Sequence, residues 1–90
     1  MNHVAENRAG DTALRSEIIK TIAVIARINE KQIDDDVLIK EELGIDSIMS
    51  LEIIARIERH YGIIIDEEDT LQIKTVGEFI DYILRTINNK

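Results

Sequence analysis

The sequence predicts an all-α domain of three main helices and one short helix, with a long connection after the first. Two observations carry this. Apolar residues recur at three- and four-residue intervals in three separate stretches, with no sustained strand-like alternation. Helix start and stop signals bracket those stretches: Asp11-Thr12, Asp46-Ser47 and Thr75 precede them, and Gly62 follows the second. Abundant Ile would favour strands by propensity, but spacing outweighs propensity where the two disagree.

Residues 1–10 are polar and end in Gly10, so residues 1–11 read as a flexible tail. Leu14, Ile18, Ile22, Ile25 and Ile28 share one face of a helix running from Thr12 to about Asn29, with Asp11 or Thr12 as its cap. Residues 30–46 keep no period, yet include Ile33, Val37, Leu38, Ile39, Leu43 and Ile45. So long a connection in a small domain is expected to pack down through those side chains. Gly44 marks a turn before a second helix over residues 47–61, which Gly62 ends as a C′ glycine. The acidic run 66–69 begins a short helical turn ending near Ile73. Thr75-Val76-Gly77-Glu78 then reads as a capping box, and Phe79, Ile80, Ile83, Leu84 and Ile87 continue a last helix. Residues 12–87 therefore form one domain, with 88–90 as a short tail.

A chain of 90 residues supports one modest core and no separate catalytic lobe. Cysteine is absent, which excludes disulfides, thiolate metal sites and a cysteine nucleophile. Any thiol chemistry must come from an attached group. No apolar run is long enough to span a bilayer and residues 1–10 lack a signal-peptide core, so the expectation is a cytoplasmic monomer without membrane insertion. The net charge of −7 argues against nucleic acid as a partner. Nearly all of the imbalance lies in residues 41–69, which hold nine acidic and two basic side chains.

The second helix has two apolar sectors. Ile53, Ile54, Ile57 and Tyr61 form the evident core face, while Ile48, Leu51 and Ala55 form a second stripe that either packs inward as well or faces a partner. Glu52, Arg56 and Arg59 face water. Ser47 stands where the long connection becomes this helix, and as a residue type it suits an N-cap. If Asp46 takes the cap, Ser47 moves to the first helical position with its hydroxyl outward. There the unpaired amides and positive dipole end favour a phosphate ester by roughly 0.3–1 kcal/mol.

Leu43-Gly44-Ile45-Asp46-Ser47-Ile48 resembles the modification motif of acyl and peptidyl carrier proteins, which commonly read Leu-Gly-x-Asp-Ser-Leu or Asp-Ser-Ile. The resemblance extends through Glu52, Ile57-Glu58, Tyr61-Gly62-Ile63, Ile65, the acidic run 66–69 and Thr75-Val76-Gly77, covering about residues 12–87. It implies an acyl-carrier-like four-helix bundle that is not an enzyme. Ser47 would receive 4′-phosphopantetheine from coenzyme A, and Asp46 would be its supporting neighbour. Ile48, Met49, Leu51, Glu52, Ala55, Arg56 and Arg59 would form the partner surface. The implied partners are a phosphopantetheinyl transferase and the acyl-loading and condensing enzymes of a synthase pathway. Three departures stand out: Met49 replaces an acidic residue common in fatty-acid carriers, Arg56 and Arg59 interrupt a helix those carriers keep acidic, and Asp66 replaces a frequent proline. They point to polyketide or other secondary-metabolite synthesis over fatty acid synthesis, with an aminoacyl or peptidyl carrier as the alternative.

Other residues carry plainer readings. His60 suits the negative end of the second helix, and with no cysteine or second nearby histidine it completes no relay. His3 lies in the tail, and two isolated histidines make no zinc site. Asp34-Asp35-Asp36 cannot open an EF-hand loop, because Ile39 and Ile45 occupy its glycine and terminal glutamate positions. A serine hydrolase would need a nucleophile elbow and a base, both missing around Ser47. A small adaptor that docks partners noncovalently through the Ile48/Leu51/Ala55 stripe is the competing class.

Overall fold

A computed structural model describes residues 2–89, with side chains from residue 11 onward. In chain order it contains α1 (Asn2–Ala26), a single 3-10 turn (Glu30–Gln32), α2 (Ser47–Tyr61), α3 (Glu67–Thr70) and α4 (Val76–Asn88). The expected all-α bundle of three main helices and one short helix is what forms. Among the described residues, no helix is long and apolar enough to cross a membrane.

Both ends of α1 differ from the spacing-based expectation. Helical backbone begins at Asn2, so Asp11 and Thr12 lie inside the helix and neither caps it. Residues 2–9 contain good helix formers and no proline, and a single Gly10 costs only about 1 kcal/mol. The side chains of residues 1–10, His3 included, lie outside the described residues.

At its other end α1 stops at Ala26 because Arg27 turns left-handed, with φ 59°. The Ile28 amide then donates back to the Ala23 carbonyl at 3.1 Å, the long-range bond of a Schellman closure normally built around glycine. Asn29 goes on to cap the 3-10 turn, its side chain accepting from the Lys31 amide at 2.9 Å. A non-glycine residue in this conformation costs roughly 1–2 kcal/mol, whereas the extra freedom of glycine in the unfolded chain costs roughly 0.4–1 kcal/mol. Arg27→Gly is therefore expected to stabilise the domain by roughly 0.5 kcal/mol in urea unfolding.

The core draws on the three main helices and the connections between them. Ile18 and Ile22 of α1, Ile53 and Ile57 of α2, and Phe79, Ile80 and Ile83 of α4 are all buried, and among the described residues no polar or charged side chain is buried with them. The long connection closes over this core as its apolar residues predict. Ile33 and Ile45 are buried, while Val37, Ile39 and Leu43 pack partly against the cluster. It is also zipped to the start of α4: Leu38 and Thr75 form an antiparallel bridge, Ile39 donates to the Lys74 carbonyl, and Val76 donates to that of Val37. Gly77 lets the chains approach closely, since a Cβ there would lie 3.1 Å from both Cβ and O of Asp35, whose carbonyl accepts the Gly77 amide at 2.9 Å.

The cap of α4 follows the sequence, whereas that of α3 emerges only from the structure. The Thr75–Glu78 capping box is present in both directions. Amides of Thr75 and Lys74 donate to the Glu78 carboxylate and hold its pKa below the usual value, so this contribution persists at neutral pH and fades only as acid protonates the carboxylate. Asp66 caps α3 by accepting from the Glu68 amide at 2.9 Å. The Tyr82 hydroxyl accepts from the Asp66 amide and donates to the Asp69 carboxylate, tying α3 to α4.

Candidate functional site

Ser47 is placed by what precedes it. Ile45 is 2% exposed and its amide donates to the Ile39 carbonyl, so the chain is anchored two residues upstream. Gly44, with φ 66°, supplies the left-handed turn that allows this approach. Asp46 is extended, and its side chain accepts from the Met49 amide at 2.8 Å while its carbonyl accepts from Ser50. Asp46 is thus the N-cap. Ser47 becomes the first residue of α2, exposed, with a hydroxyl that makes no hydrogen bond among the described residues.

The chemistry of that position suits an attached phosphodiester. The first-turn amides and the positive end of a 15-residue helix favour an anion on the Ser47 oxygen. Asp46 is already engaged with the backbone, which turns part of its negative charge toward the helix it caps.

Beside Ser47 opens a cavity of about 370 Å³ that runs under α2 and α3. Its exposed liners are Ser47, Leu51 and Leu71 together with the charged Lys40 and Glu67, while buried liners such as Ile22, Ile45 and Phe79 carry it into the core. Sequence reasoning did not anticipate this space or the roles of Ser50, Lys40 and Leu71 in lining it. Leu71 gives the one clue, an apolar residue that is 80% exposed at the end of an acidic turn.

The rest of α2 settles what its second stripe does. Ile48 is 75% and Leu51 55% exposed, and Glu52, Ala55, Arg56 and Arg59 are exposed with them. The stripe faces outward. Met49 departs from this group, being half-buried and packed against the core. Glu58 turns back to accept the Ile65 amide at 2.8 Å and holds the segment after α2. His60 lies 3.7 Å from Glu17 and edge-on to the ring of Tyr61, whose hydroxyl donates to Glu17. Burial, reinforced by the Glu17 charge and hydrogen bond, pushes the Tyr61 phenol up to about 12. These contacts make His60 part of the α1–α2 junction. The aspartate run is likewise structural at Asp35, which pairs with Arg15.

The site thus combines an exposed serine hydroxyl at a helix N-terminus with an adjoining cavity and an outward apolar stripe. Residues 16–83 match the family model described as a phosphopantetheine attachment site. An acyl carrier protein of Rickettsia bellii is 34% identical over 67 residues, covering 71% of this chain and 83% of that protein. An acyl carrier protein of Cyanidium caldarium is 31% identical over 80 residues, covering 84% and 93%. That of Cyanophora paradoxa is 41% identical over 63 residues, covering 70% and 61%. The chain belongs to the acyl carrier protein family. It is a noncatalytic carrier whose cofactor is covalently attached 4′-phosphopantetheine, and its partners include a phosphopantetheinyl transferase and synthase enzymes.

Proposed function

We propose that Ser47 bears the 4′-phosphopantetheine and that the chain carries acyl groups between enzymes of polyketide or related secondary-metabolite synthesis. The carrying observation is the division of labour at the start of α2: Asp46 holds the Met49 amide, and this leaves the Ser47 hydroxyl exposed and unengaged. The attached group would supply the thiol that this cysteine-free chain lacks, holding cargo as a thioester. The first-turn amides of α2 stabilise the phosphodiester. The cavity beside Ser47 offers apolar cargo a lining of Ile22, Ile45, Ile53 and Phe79, which supports acyl over aminoacyl cargo. The exposed Arg56 and Arg59 support a partner set distinct from enzymes that read a uniformly acidic helix.

The test is to incubate the purified chain with coenzyme A and a broad-specificity phosphopantetheinyl transferase, then measure intact and fragment masses. One phosphopantetheinyl group on the fragment holding Ser47, separated from Ser50 by backbone fragmentation, is the expected result. An unmodified chain, under conditions that prime a control carrier, overturns the reading in favour of a noncovalent adaptor.

A further inference from the structure

The outward face of α2 has a charge opposite to that of its surroundings. Residues 41–69 are strongly acidic, yet Glu42, Asp46, Glu58 and Asp66 each accept a backbone amide and so serve the fold. On the exposed side of α2 the charged groups are Glu52, Arg56 and Arg59, so positive charge prevails there. Ile48, Glu52, Ala55 and Arg59 follow one another at four-, three- and four-residue steps, which places Arg59 in the same row as the exposed apolar residues. Arg56 lies one turn before the end of that row. Neither arginine enters an ion pair among the described residues, although Glu52 and Arg56 have the spacing for one.

A guanidinium left free on the same exposed side of a helix as Ile48 and Leu51 matches the residue types that interfaces concentrate, and a carboxylate is its geometric complement. At 1.5 Å per residue, Arg56 and Arg59 stand about 14 and 18 Å along the helix axis from Ser47. From this placement, and resting on the Ser47 reading, we infer that the enzymes serving this carrier present carboxylates opposite Arg56 and Arg59. Those carboxylates lie about 14–18 Å from the opening that admits the group on Ser47, beyond an apolar depression for Ile48 and Leu51. Arg56 and Arg59 select the partner through charge, while the apolar row supplies the contact area.

The test uses primed chain whose mass has been verified, so that failure of the Ser47 reading shows before docking is measured. Wild-type chain and the double variant Arg56→Glu/Arg59→Glu are each offered to a fatty-acid-synthesis acyl transferase with a basic carrier-docking rim. They are also offered to a form of that enzyme whose rim lysines and arginines are changed to Glu. The wild-type chain is expected to show a KM roughly tenfold lower with the acidic rim, and the double variant the reverse preference, both effects shrinking as salt is raised. Helix content should be nearly the same for both chains, and a modest drop in urea midpoint is expected for the double variant because Arg59 lies near the negative end of α2; kinetics are therefore read well below the unfolding transition of both chains, which separates docking from stability. Equal KM values for the two chains on both enzymes would overturn the inference while leaving the attachment at Ser47 intact. A chain that cannot be primed would overturn both.

Discussion

Ser47→Ala is expected to abolish phosphopantetheinylation while leaving unfolding free energy within about 0.5 kcal/mol of the parent. The reason lies in hydrogen bonds rather than in position. The Met49 amide is satisfied by Asp46, and the Ser47 hydroxyl holds nothing, so its loss removes a nucleophile and no structural bond. Asp46→Ala should behave differently, losing about 0.5–2 kcal/mol because an exposed helix start loses its cap. Serine is itself a good cap, so in Asp46→Ala the Ser47 hydroxyl can turn toward the freed amide. Priming of that variant is therefore expected to slow, whereas Asp46→Asn, which retains a capping oxygen, should remain near wild type on both measures. Urea unfolding followed by circular dichroism, together with intact mass after priming, reads the two effects separately. A loss of several kcal/mol in Ser47→Ala would make the serine a structural element and remove the main support for attachment there.

The starts of α2, α3 and α4 were legible because each is written in short-range chemistry. Thr75 and Glu78 lie three residues apart, as a capping box requires, and both bonds form. Asp46 and Ser47 are rival caps in the sequence because either side chain can reach first-turn amides; only the extended backbone of Asp46 decides between them. The end of α1 was not legible, since the left-handed residue is Arg27 and carries none of the glycine signal that marks Gly62. Nor was the work done by the acidic residues. Glu42, Glu58 and Asp66 read as part of a charged field, but their partners are the amides of Leu38, Ile65 and Glu68, two of which lie in irregular segments without periodicity to reveal them. The cavity was hidden for a similar reason: its walls come from α1, the long connection, α2, α3 and α4 together, and no local pattern records such a meeting.

The two apolar stripes of α2 should separate cleanly under truncation, because the same side chain on one helix has opposite surroundings. Ile57 is 1% exposed and sits among the buried residues of the core, so Ile57→Ala removes buried methyl groups and leaves a hole that close-packed neighbours only partly fill. The expected cost is about 2–5 kcal/mol. A domain of this size has an unfolding free energy of roughly 5–13 kcal/mol, so this single change removes a large part of it. Ile48 is 75% exposed, and Ile48→Ala is expected to move stability by less than about 0.5 kcal/mol. Its effect should fall on turnover by a partner enzyme, through a raised KM, because Ile48 heads the row that continues through Glu52 and Ala55 to Arg59. Urea melts and transfer kinetics on the two variants place the core and the docking face on opposite sides of α2. Similar stability losses in both would mean that Ile48 is covered in solution, and the outward stripe would then belong to the fold and not to a partner.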